Sequence, residues 1–91
     1  MKSIMQTEKR CYLCGSTYWL ENHHIFGGAN RKNSEKYGLT VYLCHNCHNE
    51  PPNGAHHNAD TMRRLHEDGQ RAFEKNHTRE EFMRTFGRNY I

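Results

Sequence analysis

Four cysteines and eight histidines in 91 residues are the part of this chain equipped for chemistry. Cys11-Tyr-Leu-Cys14 and Cys44-His-Asn-Cys47 are two C-x-x-C turns with 29 residues between them. Such a turn lets two thiolates face one ion, and two turns complete a tetrahedron. Disulfides and free thiols are the alternatives. A redox C-x-x-C usually comes singly, beside a βαβ pattern that this chain lacks. The separation exceeds that of a common zinc ribbon, and a hairpin inserted between the turns accounts for the excess. The spacing therefore predicts a structural Zn²⁺ on Cys11, Cys14, Cys44 and Cys47, whose binding supplies folding free energy directly.

The histidines divide by position. His23 and His24 are adjacent at the end of a β-favouring run, and neighbours on a strand point to opposite faces. One of them can hold a metal while the other works as a base, since imidazole titrates near neutrality. His48 follows the second cysteine turn directly, and His56-His57 lie in a Pro/Gly loop. His56 is a candidate third ligand or phosphate contact. His45 reads as a surface residue of the turn, and His66 and His77 as solvated helix positions.

The elements that must carry these side chains are short. Hydrophobic residues are only 34% of the chain, so one small domain over 1–91 is expected, its thin core supplemented by metal. A strand is expected within 17–26, an exposed loop over 27–38, a second strand over 39–43, and a short helix from 44 stopped by Pro51-Pro52. Residues 1–10 are expected to fray. Asp60 is read as the cap of a helix running to about Asn76, in which Gly69 costs about 1 kcal/mol relative to Ala. Thr78-Arg-Glu-Glu81 reads as a capping box, with Gly87 closing the last helix. The expected fold class is thus small, metal-stabilised α+β: an antiparallel hairpin and short helix in a motif core over 11–58, then helices over 60–86.

No run of 18 apolar residues is present, which excludes a membrane-spanning helix. The first ten residues lack the apolar stretch of a secretory signal, so a cytoplasmic location with reduced thiols is expected. The net charge of +3 is compatible with nucleic acid. Its excess lies in the N-terminal half, where Arg31, Lys32 and Lys36 cluster and are candidate phosphate contacts. Arg84 and Arg88 are further candidates, and the remaining helical arginines read as ion-pair partners. Tyr18, Trp19 and Phe26 are read mainly as core, with base stacking as the alternative.

Glu21-Asn-His23-His24-Ile25, followed by Leu39-Thr-Val-Tyr-Leu43-Cys44-His-Asn-Cys47-His48-Asn49, resembles the HNH endonuclease family and its ββα-metal motif. The upstream Cys11/Cys14 turn matches the zinc-supported branch, and Gly54-Ala-His-His-Asn58 resembles the stretch C-terminal to the motif in small phage-type members. The resemblance implies a ββα-metal core. It implies His24 as the general base, His23 and His48 as ligands of a catalytic divalent ion (Mg²⁺, Mn²⁺ or similar), and hydrolysis of DNA to a 5′-phosphate. The family's middle Asn is displaced: Leu39 stands at its place, and Asn30 and Asn33 substitute only if their loop folds back. Two other readings compete. One is a zinc-stabilised nucleic-acid-binding module without catalysis. The other is a protein adaptor that docks through Phe82, Met83 and Phe86. No separate DNA-reading domain fits in 91 residues. Weak sequence specificity is therefore expected, with any more supplied by a partner such as a phage packaging or recombination protein.

Overall fold

The computed structural model describes residues 2–91. In chain order the elements are β1 (Leu20–His24), α1 (Arg31–Tyr37), β2 (Thr40–Cys44), α2 (His45–His48), α3 (Ala59–Glu74) and α4 (Arg79–Phe86), with 3-10 turns at Gly28–Asn30 and Ala55–His57. The architecture is small α+β, a two-strand antiparallel hairpin with helices around it. His23 pairs with Val41 and His24 with Thr40. Strand alternation turns His23, Val41 and Leu43 into the buried side and leaves Asn22 exposed.

The segment 27–38, expected as a loop, is largely the helix α1. Its seven residues bury only Ser34, so no apolar period announced it. Two contacts hold it: the Ser34 hydroxyl accepts from the Phe26 amide at 3.0 Å and donates to the Phe26 carbonyl at 2.8 Å, and the Tyr37 ring packs edge-on against Phe73 at 5.1 Å. Gly38 then ends the helix at φ 71°, its amide reaching the Ser34 and Glu35 carbonyls. Arg31, Lys32 and Lys36 therefore project from a helix pinned to the end of β1, and all three are exposed.

The expected fraying of residues 1–10 is also corrected over 2–10, Met1 lying outside the described residues. Ile4 donates its amide to the Gly38 carbonyl at 2.9 Å, the Ser3 hydroxyl donates to the Thr40 carbonyl, and the Tyr42 amide donates to Gln6 Oε1 at 2.9 Å. A strand edge carries unpaired amides and carbonyls that need partners. Here the N-terminal segment supplies them to β2.

In the helical half the cap of α3 is Asn58, whose side chain accepts from the Thr61 amide at 3.0 Å. Asp60, expected there, lies in the first turn instead, where its charge suits the helix dipole. The capping box at Thr78 and Glu81 and the left-handed Gly87 are present as expected. Phe26 forms the centre of the core, with ring centroids of Phe86, Tyr90 and Phe82 at 4.6, 5.0 and 5.4 Å. Phe82 and Phe86 are buried and only Met83 of that stripe is exposed, which removes the adaptor's docking face. His66 and His77 are not simply solvated. His66 stacks on Phe26 at 5.2 Å and His77 on Phe73 at 4.4 Å. Among the described residues no helix is long and apolar enough to cross a membrane.

Gly69 has a packing role that its helix propensity conceals. A Cβ there would lie 2.6 Å from Ile25 Cγ2 and 3.3 Å from Phe26 Cε2, the two residues after the His23-His24 pair. Gly69→Ala gains about 1 kcal/mol of helix propensity and loses about 1–3 kcal/mol by overpacking. The expected outcome is a lower melting temperature; an unchanged or higher one would show that Ile25 yields at no cost.

Candidate functional site

Two clusters of metal-ligating side chains flank the helix α2. In the first, the sulfurs of Cys11, Cys14, Cys44 and Cys47 all lie within 4.8 Å of one another. Tetrahedral Zn–S bonds put sulfurs about 3.8 Å apart, and Cys14 and Cys44 are at 3.6 Å. The N-terminal turn supports its thiolate through backbone amides. Burial pushes the Cys11 thiol up, but the amides of Cys44, Cys14 and Leu13 outweigh it and bring the group down to about 6. Burial and the neighbouring thiols push Cys47 the other way. A divalent cation there would bind all four as thiolates and offset their mutual repulsion. These four residues form a candidate structural metal site, as their spacing predicts.

In the second cluster, nitrogens of His23, His48 and His56 lie within 4.8 Å of one another. Each comes from a different piece of backbone: the inner face of β1, the end of α2, and the 3-10 turn after the Pro51-Pro52 loop. His23 is 4% exposed, and its Nε2 is a buried nitrogen with no hydrogen-bond partner. Such a group costs free energy unless something fills the space before it. Burial, then repulsion from His48 and His56, lowers His23 to about 3, so it is neutral and its lone pair is free for a cation through the physiological range. Burial and His48 lower His56 as well.

His48 Nδ1 faces Glu21 Oε1 at 2.8 Å, and His56 Nε2 faces His48 Nε2 at 3.0 Å. With the His48 proton directed at the carboxylate, its Nε2 presents a lone pair toward His56. Two nitrogens at that distance need a proton or a cation between them. The donor set and the orphaned His23 nitrogen fit a metal ion held by three imidazoles.

Glu21 is the residue that sequence reasoning left without a role. It accepts from His48, from Asn49 Nδ2 at 2.8 Å, and from His45 Nδ1 at 3.2 Å. His48 and then His45 hold its carboxyl below the usual range. A carboxylate behind a ligating histidine fixes its tautomer and raises its basicity. The available signal was the i, i+2 relation of Glu21 to His23, which puts both on one strand face. Glu21→Gln is expected to weaken metal binding at the histidine cluster by about 10–100-fold and to leave the four-cysteine site loaded. Competition against a chromophoric chelator measures both; equal affinity in the variant would remove Glu21 from the centre.

No family model, curated protein or solved structure matches the chain.

His24 lies on the opposite face of β1 from His23. Its Nε2 meets Glu35 Oε2 of α1 at 2.8 Å. The two asparagines of the inter-strand segment bond elsewhere. Asn30 donates to the Phe86 carbonyl at 3.1 Å and Asn33 to the Thr85 carbonyl at 3.0 Å, both toward α4. His45, read as a plain surface residue, is clamped between Glu21 and Glu50, with Nε2 2.7 Å from Glu50 Oε1. Glu21 first, with help from Glu50, lifts its pKa against the effect of burial. His57 is exposed in the turn. Among the arginines, Arg63, Arg64, Arg71 and Arg79 pair with acids as expected, while Arg88 packs 4.7 Å over the Tyr90 ring. Tyr18 and Trp19, expected mainly in the core, are 82% and 71% exposed, whereas Phe26 is buried.

Proposed function

We propose that this chain is a metal-dependent endonuclease of the HNH, ββα-metal type that hydrolyses DNA phosphodiesters with His24 as general base. The observation that carries the reading is the convergence of His23, His48 and His56 around an orphaned buried nitrogen, with a second histidine beside it on the same strand. A structural site has no use for that second imidazole. The order of hairpin, short helix and cysteine turns supports the same reading.

His23, His48 and His56 would hold the ion. A divalent ion held there would supply Lewis-acid stabilisation of the charge that develops at the scissile phosphate and its leaving oxygen. Three imidazole nitrogens favour Mn²⁺, Ni²⁺ or Zn²⁺ over Mg²⁺, which prefers oxygen ligands. His24 does the proton chemistry. Glu35 accepts a hydrogen bond from His24 Nε2–H, and in that tautomer Nδ1 keeps the lone pair that takes a proton from water. The hydroxide so formed attacks phosphorus, the bond to the 3′ oxygen breaks, that oxygen takes a proton from solvent water, and His24 returns its own proton to solvent. The products are a 3′-hydroxyl and a 5′-phosphate. Glu35 supplies to His24 the orientation that the family's Asn would secure by another route. Arg31, Lys32 and Lys36 lie on the same helix as Glu35 and are exposed, so phosphates drawn to α1 arrive beside the base. Those cations also support the alternative of a DNA-binding module without chemistry.

Plasmid incubated with the zinc-loaded protein separates the two. Nicks or breaks carrying 5′-phosphates, dependent on added Mn²⁺ or Mg²⁺, are expected; salt-sensitive binding with intact plasmid would favour the binding module. Glu35→Ala loses one charge-assisted hydrogen bond at a half-exposed position. It should lower kcat by about 10-fold with KM little changed, and wild-type kcat in that variant would show that the base needs no partner.

A further inference from the structure

Trp19 is the single tryptophan of the chain, and it is built in an improbable way. Its backbone is at φ 50°, the left-handed region that a bulky side chain rarely occupies. It is 71% exposed, so little burial offsets that strain. One face of its indole lies flat on the His45 ring, with centroids 4.2 Å apart and planes 9° from parallel. His45 is itself fixed, by Glu21 on one nitrogen and Glu50 on the other. The His45 amide also donates to the Trp19 carbonyl at 3.0 Å. The result is a rigid aromatic plate with one covered face and one open to water. Through Glu21, the group that locks the plate also holds His48 of the histidine centre.

A strained residue held rigidly and left exposed points to a ligand for the open face. On the proposed nucleic-acid function, on which this rests, that ligand is flat and aromatic. We propose that Trp19 is a stacking site for an unpaired nucleobase on the strand whose phosphate reaches His23, His48 and His56. A base inside a duplex has both faces covered by its neighbours, and only its edges are reachable. Stacking on Trp19 therefore selects single-stranded, flapped or locally melted DNA. Stacking on an aromatic side chain is worth about 1–3 kcal/mol per base and tolerates any sequence.

The lone tryptophan reports on its own occupancy. The zinc-loaded full chain is titrated with the single strand (dT)8 and with relaxed, closed-circular duplex at equal nucleotide concentration, with indole fluorescence as readout. Saturable quenching by (dT)8 and little by the duplex is expected. Trp19→Gly relieves the backbone while it removes the plate, so its melting temperature should stay within a few degrees of wild type. Its affinity for end-labelled (dT)8 should fall by about 5–150-fold, and Trp19→Phe should keep most of the affinity. No quenching by the strand, equal quenching by the duplex, or unchanged affinity in a folded Trp19→Gly protein would overturn the site. Quenching by a protein that leaves plasmid intact would sink the nuclease reading and keep the stacking site; cleavage without quenching would do the reverse.

Discussion

His24→Ala is expected to abolish plasmid cleavage while leaving the fold and both metal clusters in place. General-base catalysis contributes about 10²–10⁴-fold, enough to take nicking below detection in an ordinary assay. The variant is structurally mild. His24 lies on the face of β1 opposite His23, and its side chain makes a direct 2.8 Å hydrogen bond to the half-exposed Glu35. His23, the ligand beside it, keeps its own burial on the other face. Zinc content and melting temperature should match wild type within error. A folded, zinc-loaded His24→Ala protein that cuts at the wild-type rate would remove His24 as the base. Failure of both proteins to cut, in any of Mg²⁺, Mn²⁺ or Ni²⁺, would remove the nuclease reading.

Removing metal from the four cysteines is expected to have the largest effect on stability. The ion would join the turn at Cys11 and Cys14 to the end of β2 and to α2, where Cys44 and Cys47 stand. Structural zinc contributes about 10–16 kcal/mol of apparent binding free energy in small zinc domains. A domain of this size is stable by about 5–15 kcal/mol in total. Strong chelation, or Cys44→Ser, should therefore erase the cooperative thermal transition seen by circular dichroism. His48 leaves with α2, so cleavage is lost together with the fold. Glu21→Gln, by contrast, should lose metal affinity at the histidines and keep its melting transition. A chelated protein that still melts cooperatively near the wild-type temperature would show that the core alone holds the hairpin.

Some elements were legible because their signals are local. The capping box at Thr78, the glycine stop at Gly87, the short helix before Pro51-Pro52 and the hairpin each depend on residues a few positions apart. The strand alternation that separates His23 from His24 is of the same kind. The elements that were misread are held by distant or polar partners. The helix α1 has no apolar stripe; it is held by the two hydrogen bonds between Ser34 and Phe26, by Asn33 on the Thr85 carbonyl and by Tyr37 packed on Phe73. The N-terminal segment is ordered by the edge of β2, about 36 residues further along the chain. Asn58 caps α3 from an extended backbone, which leaves Asp60 inside the first turn although it also offered a carboxylate.

The candidate site divides along the same line. Residue types and spacing alone determined that four cysteines can share one ion, that His23 and His24 must face apart, and that His48 travels with the second cysteine turn. Those conclusions rest on bond lengths and on the two-residue repeat of a strand, which do not need a third dimension. Only the tertiary structure decided that His56 meets His48, that Glu21 stands behind them, that Glu35 holds the proposed base, and that Trp19 lies outside the core. The first three are contacts between separate elements, and all four follow only once the chain has folded around its buried core. Apolar packing is non-directional and carries no label in the polar residues it juxtaposes. Their partners become readable once the core has closed.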